Sequence, residues 1–342
     1  MNRFSWLGAR SVAEAAGAAS TTTAAAMSTA DGAIAPGGSV IKAGGIDVLD
    51  LLKEGLMVPA TLVSLSRVSE LDSIAEEPDG AVRIGSMITL ARIAGHPLIR
   101  GRYAALAEVA GSSASPQIRN VATIGGNLLQ RPRCWYFRSS QYHCLRKGGD
   151  RCFALSGDNR YHAIFDNRPC AIVHPSSAAT VLVALGAEVE LVKADGNRRR
   201  LRLDEFLVPP SGDITCENQI KAREVLTGVQ LPRPGADART AYLRLGEKTA
   251  FDWPLADVAA TLERSPGGQC RRAIIVLGAA APAPYRALSA EKALAGRKIS
   301  EDAASAAARA AIGDATPLSG NAYKLPLFET LIRRAILAAA SQ

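Results

Sequence analysis

The order of apolar and polar positions along the chain predicts short strands alternating with helices. "RFSWLGA" reads as a first strand and "SVAEAAGAA" as a helix, followed by a mobile linker of small residues. Residues 39–53, "SVIKAGGIDVLDLLK", read as a strand, a tight Gly44-Gly45 turn and the opening of an amphipathic helix. "ATLVSLSRV" is a strand, and "DGAVRIGSMITLARIAGHPLI" is a hairpin-like strand followed by a helix beginning near Thr89. Residues 103–118 supply another helix, which "NVATIGGNLLQ" breaks with a Gly125-Gly126 turn. A helix from about Ser177 precedes an antiparallel hairpin turning at Asp195-Gly196. The strand "EVLTGVQL" closes this region, and the proline- and glycine-bearing stretch 232–235 is a natural linker. Beyond it, "TAYLRLGEKTAFDWPLADVAATLER" and "QCRRAIIVLGAAAPAPYRA" read as strands, and residues 288–342 as alanine-rich helices. The pattern is α+β: a larger domain over 1–235, then a smaller α+β domain over 240–342 with an antiparallel sheet and helices.

The chain has 342 residues, 48% hydrophobic and 21% charged, enough to bury a core without covalent staples. Its net charge of +8 is scattered, and the one basic run, "RRRLR" at 198–202, falls on a strand of the exposed hairpin. No aromatic residues interleave with it, so a nucleic-acid partner is not expected. No stretch reaches the roughly 18 apolar residues of a membrane span. The N-terminal segment lacks the compact apolar core of a secretory signal and has no twin-arginine pair.

The two glycine pairs carry the first chemical signal. Paired glycines let a turn expose several N–H groups without a side chain in the way, which suits a phosphate beside a helix start. Neither pair matches G-x-G-x-x-G or a Walker loop, so neither implies a Rossmann or P-loop fold. In order along the chain, "KAGGIDVLDLLK", "QIRNVATIGGNLLQ", "HPSSAATVLVALGA" and "EVLTGVQLP" are followed by "AFDWPLADVAATL", "LGAAAPAPYRA" and "PLSGNAYKLPLFETLIRRAIL". In this order the chain resembles the FAD-binding subunits of molybdenum hydroxylases, which include xanthine dehydrogenases, aldehyde oxidoreductases and carbon monoxide dehydrogenases. The likeness covers nearly everything except residues 17–37.

That resemblance implies a two-part, PCMH-type FAD-binding domain followed by a C-terminal domain as in carbon monoxide dehydrogenase flavoproteins. It implies that Lys42, Ala43, Gly44, Gly45, Ile46, Asp47, Val48 and Leu49 wrap the FAD pyrophosphate. Thr123, Ile124, Gly125, Gly126 and Asn127 then approach the diphosphate and flavin from the other side. Ser176 and Ser177, after His174-Pro175, also contact the cofactor, as does Leu226. Lys248 matches a basic residue near the flavin, with a solvated strand lysine as its alternative. Two positions depart from the family: Ser177 stands where relatives often have Asp, and Ile46 where they commonly have Thr.

The second signal is "CWYFRSSQYHCLRKGGDRC", which puts three of six cysteines within residues 134–152, with Cys170 further on. The spacing Cys134-x9-Cys144-x7-Cys152-x17-Cys170 lacks the C-x2-C pairs of zinc ribbons and the run of bacterial ferredoxins. Spacing alone leaves a metal site, disulfides and loose thiols all open. Arg131, Arg133, Arg138, Arg146, Lys147 and Arg151 crowd the loop, and such cations lower thiolate pKa values. Cys216 and Cys270 fall outside the pattern. His143 and His162 read as solvent-facing, and His174 as structural. The loop, inserted over 131–170, resembles that of a subset of the family with a [4Fe–4S] cluster, the periplasmic-type aldehyde oxidoreductases and 4-hydroxybenzoyl-CoA reductase. The resemblance thus implies Cys134, Cys144, Cys152 and Cys170 as cluster ligands.

The function implied is an electron-transfer flavoprotein subunit of a heterotrimer. A large molybdenum-cofactor subunit oxidises the substrate, a small subunit with two [2Fe–2S] clusters relays electrons to FAD, and an external acceptor takes them. No side-chain acid or base on this chain is required. The rival readings are a self-contained FAD oxidase and a zinc-stabilised binding module. The cytoplasm is the default location, with export alongside a signal-bearing partner as the alternative.

Overall fold

The computed structural model describes residues 3–27, 37–249 and 251–342. Of the expected mobile N-terminal linker, residues 28–36 lie outside the described residues, whereas residues 20–27 are fixed against the domain, with Ala26 and Met27 buried and Met27 bridged to Met57. Three sheets organise the rest. A small parallel sheet takes β1 (Ser5–Gly8), β2 (Ser39–Lys42) and β3 (Thr61–Ser64) in the order β1-β3-β2. An antiparallel sheet takes β4 (Ile74–Glu76), β5 (Val82–Gly85), β6 (Glu188–Lys193), β7 (Arg198–Arg202) and β8 (Glu224–Leu231) in the order β4-β5-β8-β6-β7. The helix Val12–Ala18 joins the two: Val12, Ala15 and Ala16 are buried among Val63, Leu65, Val192 and Val225.

The third sheet, β12-β11-β10-β9, is built from β9 (Ala238–Gly246), β10 (Pro254–Arg264), β11 (Cys270–Gly278) and β12 (Tyr285–Arg286). Side chains alternate across a strand, and β10 shows what that achieves. Ala259 joins the core of the helix Ser177–Ala184, while Val258, Ala260 and Leu262 join that of the C-terminal helices Glu301–Ile312 and Lys324–Ala340. The helix Ser177–Ala184 is therefore closed in by the C-terminal sheet, and all but its first residue are buried.

Two elements depart from the sequence reading. The helix expected over 103–118 is two pieces, Ala104–Ser112 and Pro116–Arg119. Pro116 disfavours helical geometry in the residue before it, and Ser115 is extended while Ala114 sits at φ +46°. The Gly125-Gly126 pair is not a turn but lies inside a short helix, Ile124–Leu128, capped by the Thr123 hydroxyl on the Gly126 N–H. Gly125 is needed there because a Cβ would sit 2.9 Å from the Ser86 carbonyl oxygen.

Candidate functional site

Gly44 and Gly45 leave β2 and start the helix Ile46–Lys53. Gly45 takes φ +92°, a conformation glycine adopts at little cost. A Cβ on Gly44 would run into the Val121 carbonyl oxygen. No side chain caps this helix, and among the described residues the N–H groups of Gly44, Gly45, Ile46 and Asp47 have no protein acceptor. Unfilled donors at a helix start form an anion site. The second glycine segment differs. Its N–H groups are taken: Ile124 donates to the Ile88 carbonyl, Gly125 to that of Ser86, Gly126 to Thr123 Oγ1 and Asn127 to the Thr123 carbonyl. It offers a bare backbone surface for close approach, with these four N–H groups already used.

The two segments face one cleft of about 340 Å³ between the N-terminal region and the C-terminal sheet. Ala43, Gly44, Gly45, Ile46, Asp47 and Val48 line it, as do Thr123, Gly125, Gly126, Asn127, Ser177 and Leu226. Lys42, Leu49, Ile124, Ser176 and Lys248 lie off its wall. Ser176 still supports it, since its hydroxyl donates to Asn127 Oδ1 at 2.6 Å and caps the helix Ser177–Ala184. Lys248 is exposed, and its backbone N–H bonds the Asp252 carboxylate.

The wall also holds residues that sequence reasoning missed. Arg244 is one, and Arg131 and Arg133, expected around the cysteines, stand here too, on a wall that also carries Asp47, Glu217, Glu224 and Asp252. Trp253 and Phe251 stand exposed at the rim, with the Arg133 guanidinium 5.0 Å from the Trp253 ring centre. Ser177 Oγ donates to Asp257 Oδ2 at 2.5 Å, and the Tyr242 hydroxyl donates to the same oxygen at 3.2 Å. Burial raises the Asp257 carboxyl, against the hydroxyls of Ser177, Tyr242 and Thr180, which favour its charged form. The C-terminal sheet thus brings a carboxylate up to Ser177. The sequence hid this because the two residues are 80 positions apart.

The four cysteines of the loop converge. Cys134, Cys144, Cys152 and Cys170 line a single gap of about 10 Å³ with Phe137, Phe153 and Arg146. All six cysteines are free thiols in the structure. Among the described residues no three His, Cys, Asp or Glu side chains gather closely enough for a single metal ion. Zinc would hold each sulfur about 2.3 Å from one centre.

The expected cationic collar is mostly turned away. Arg138 and Arg133 pair with Asp47 at 2.6 and 2.9 Å, and Arg131 pairs with Glu217 at 3.2 Å, because these carboxylates are the nearer partners. The expected lowering of thiol pKa therefore fails at three positions. Burial pushes Cys134 up to about 12 and raises Cys144, where Lys147 opposes it. Hydrogen bonding between Cys152 and Cys170 lowers the first and raises the second. His143 is exposed as expected, but His162 is not: it is buried, with Nε2 3.2 Å from Cys134 Sγ. A ring of Trp135, Tyr136, Tyr142 and Phe153 packs this loop in place of regular structure.

Comparison with known proteins gives these sites a frame. Residues 2–234 match the FAD binding domain in molybdopterin dehydrogenase, and residues 241–339 match the CO dehydrogenase flavoprotein C-terminal domain. The chain is 31% identical to the aldehyde oxidoreductase FAD-binding subunit PaoB of Escherichia coli K12, covering 90% of this chain and 93% of that one. It is 28% identical to the carbon monoxide dehydrogenase medium chain of Hydrogenophaga pseudoflava, over 87% of this chain and 88% of that one. The solved structure of that organism's carbon monoxide dehydrogenase, a form lacking the Mo-pyranopterin moiety, superposes with a TM-score of 0.73. The match has 26% identity and covers 99% of this chain and 98% of the other. With its glycine turn, its cleft and both domains accounted for, the chain belongs to the family of FAD-binding subunits of molybdenum-dependent oxidoreductases, whose catalytic molybdenum lies on another chain.

Proposed function

We infer that this flavin subunit is of the cluster-bearing kind, with Cys134, Cys144, Cys152 and Cys170 holding a [4Fe–4S] cluster and an aldehyde as the substrate of the molybdenum partner. The observation that carries the cluster is the convergence of four distant thiols on one gap. A [4Fe–4S] cluster takes four thiolates and is bulkier than a single ion, so loading it must spread sulfurs that now close on about 10 Å³. The aldehyde rests on the similarity to PaoB. Partners follow the same pattern: a large molybdenum-cofactor subunit, a small subunit with two [2Fe–2S] clusters, and an external acceptor.

The cleft fits FAD on its own chemistry. Gly44, Gly45, Ile46 and Asp47 present unfilled N–H groups to a pyrophosphate, and Arg244, which bonds the Ser112 and Asp252 carbonyls and no carboxylate among the described residues, is the wall arginine placed to offset its charge. Ser177 and Tyr242, held by Asp257, fix the wall on the C-terminal side. When bound, FAD supplies the one- and two-electron chemistry, and the protein supplies position and charge.

Iron and acid-labile sulfide analysis of the purified complex tests the cluster, with EPR of the dithionite-reduced protein. About eight irons per flavin are expected, four from the partner's two [2Fe–2S] clusters and four from this chain, dropping to about four in Cys144→Ser while flavin is retained. A complex with full flavin and zinc, or with no metal beyond its partners' clusters, would rule the cluster out.

A further inference from the structure

Between the cysteine gap and the cleft lies a buried ion triad. Arg146 lines the cysteine gap and Arg131 lines the cleft, and Glu217, also on the cleft wall, bridges them. Glu217 Oε1 accepts from Arg146 at 2.5 Å, and its Oε2 pairs with Arg131 at 3.2 Å. The three side chains are 1–3% exposed. The arginines also pin the loop between the sites: Arg131 donates to the Thr215 carbonyl and Arg146 to that of Cys216. The main-chain N–H of Arg131 reaches Asp47 of the first glycine turn. Among the described residues the Nε and Nη2 nitrogens of Arg131 reach no acceptor, and the Arg146 side chain interacts with the Cys170 thiol.

Two guanidiniums and one carboxylate leave one net positive charge, shielded from water. A buried pair is expensive to bury and often no better for stability than apolar packing. Unpartnered buried N–H groups favour nearby negative charge. Each cavity is one that gains negative charge on reduction. Buried charges are little screened by salt, so the same triad acts on both.

The geometry points to Glu217 as a positioning residue that ties the reduction potentials of cluster and flavin together, a step that rests on the cluster assignment above. Its carboxylate holds Arg146 toward the cysteines and Arg131 toward the cleft, and the net charge of the triad sets how readily either site accepts an electron. Removing the carboxylate makes the region more positive, so both sites become easier to reduce. Removing a guanidinium does the opposite.

The test is a potentiometric titration of the intact complex, following flavin absorbance and the EPR signal of the reduced cluster. In Glu217→Gln both potentials rise, by roughly tenfold in the one-electron equilibrium, about 59 mV. In Arg131→Gln both fall. The opposite signs separate charge from loosened packing, which would move both variants the same way, and either variant decides alone if the other fails to keep its cofactors. A shift confined to one centre, or shifts of like sign in the two variants, overturns the coupling. An iron-free wild-type chain overturns the cluster assignment and the coupling with it, whereas an iron-loaded protein with unmoved potentials overturns the coupling alone.

Discussion

Gly44 shows how much one missing methyl group can carry. Its backbone passes so close to Val121 that a Cβ would strike the Val121 carbonyl oxygen, and that oxygen belongs to the chain leading into the second glycine segment. The close approach is what lets both segments face one cleft. Gly44→Ala forces them apart or tilts the helix Ile46–Lys53, moving its unfilled N–H groups off a pyrophosphate. FAD affinity should fall at least tenfold, about 1.4 kcal/mol, read by titrating flavin back into deflavinated protein. Gly101→Ala is the control, because nothing lies within 4 Å of a Cβ there and its backbone is not in the left-handed region. Its affinity should stay within roughly twofold of the wild type, about 0.4 kcal/mol. Equal losses in the two variants would show that the response is to lost glycine in general and not to the Val121 contact.

Lys324 gives the matching case for an element. It opens the helix Lys324–Ala340 from a fully buried position, where its ammonium donates to the carbonyls of Ala279 at 2.8 Å, His162 at 3.1 Å and Tyr161 at 3.2 Å. One side chain thus ties the C-terminal helix to β11 and to the cysteine loop. Burial lowers its pKa to about 7, with Asp257 pulling the other way, and the positive end of the helix dipole acts in the same direction as burial. An unfolded lysine titrates near about 10.4, so between pH 7 and about 10 the unfolded chain binds more protons than the folded one. Stability linked to this group therefore rises with pH across that window, the penalty of the buried charge being fully present below pH 7. Urea midpoints at pH 7 and pH 9 should show a smaller rise for Lys324→Met than for the wild type, and identical slopes would refute the assignment. At this scale the sequence was a good guide where periodicity or turn chemistry is local, as in β2, the Asp195-Gly196 hairpin and the cap at Thr89. It failed where a distant partner decides. Charge spacing placed Arg131, Arg133 and Arg138 around the cysteines, but Asp47 and Glu217 claimed them. His162 looked like a surface residue because the contacts that bury it come from aromatic neighbours and from Lys324 and Asn321, some 160 positions on.

The whole molecule is more united than its two matched domains suggest. The C-terminal sheet gives one face to its own helices and the other to the N-terminal region, so Tyr242, Ala259, Ile274 and Val276 share a core with Val181 and Leu182. Asp257 crosses the same boundary to Ser177 and Thr180, and Lys324 and Asn321 cross it to the cysteine loop. Domains joined by small polar contacts unfold separately, whereas a shared apolar core makes separation expose surface on both sides. The cleft is walled from both regions, so a bound flavin reports on the joined state and not on one domain. Calorimetry of the flavin-loaded chain should give a single transition. Free FAD at about 100 times its dissociation constant should move that whole transition up, by about 2.7 kcal/mol of added stability. Two transitions, with FAD moving only the one assigned to residues 3–231, would mean that the shared core is too weak to couple the domains. The C-terminal sheet would then serve as a separate cover over the cleft.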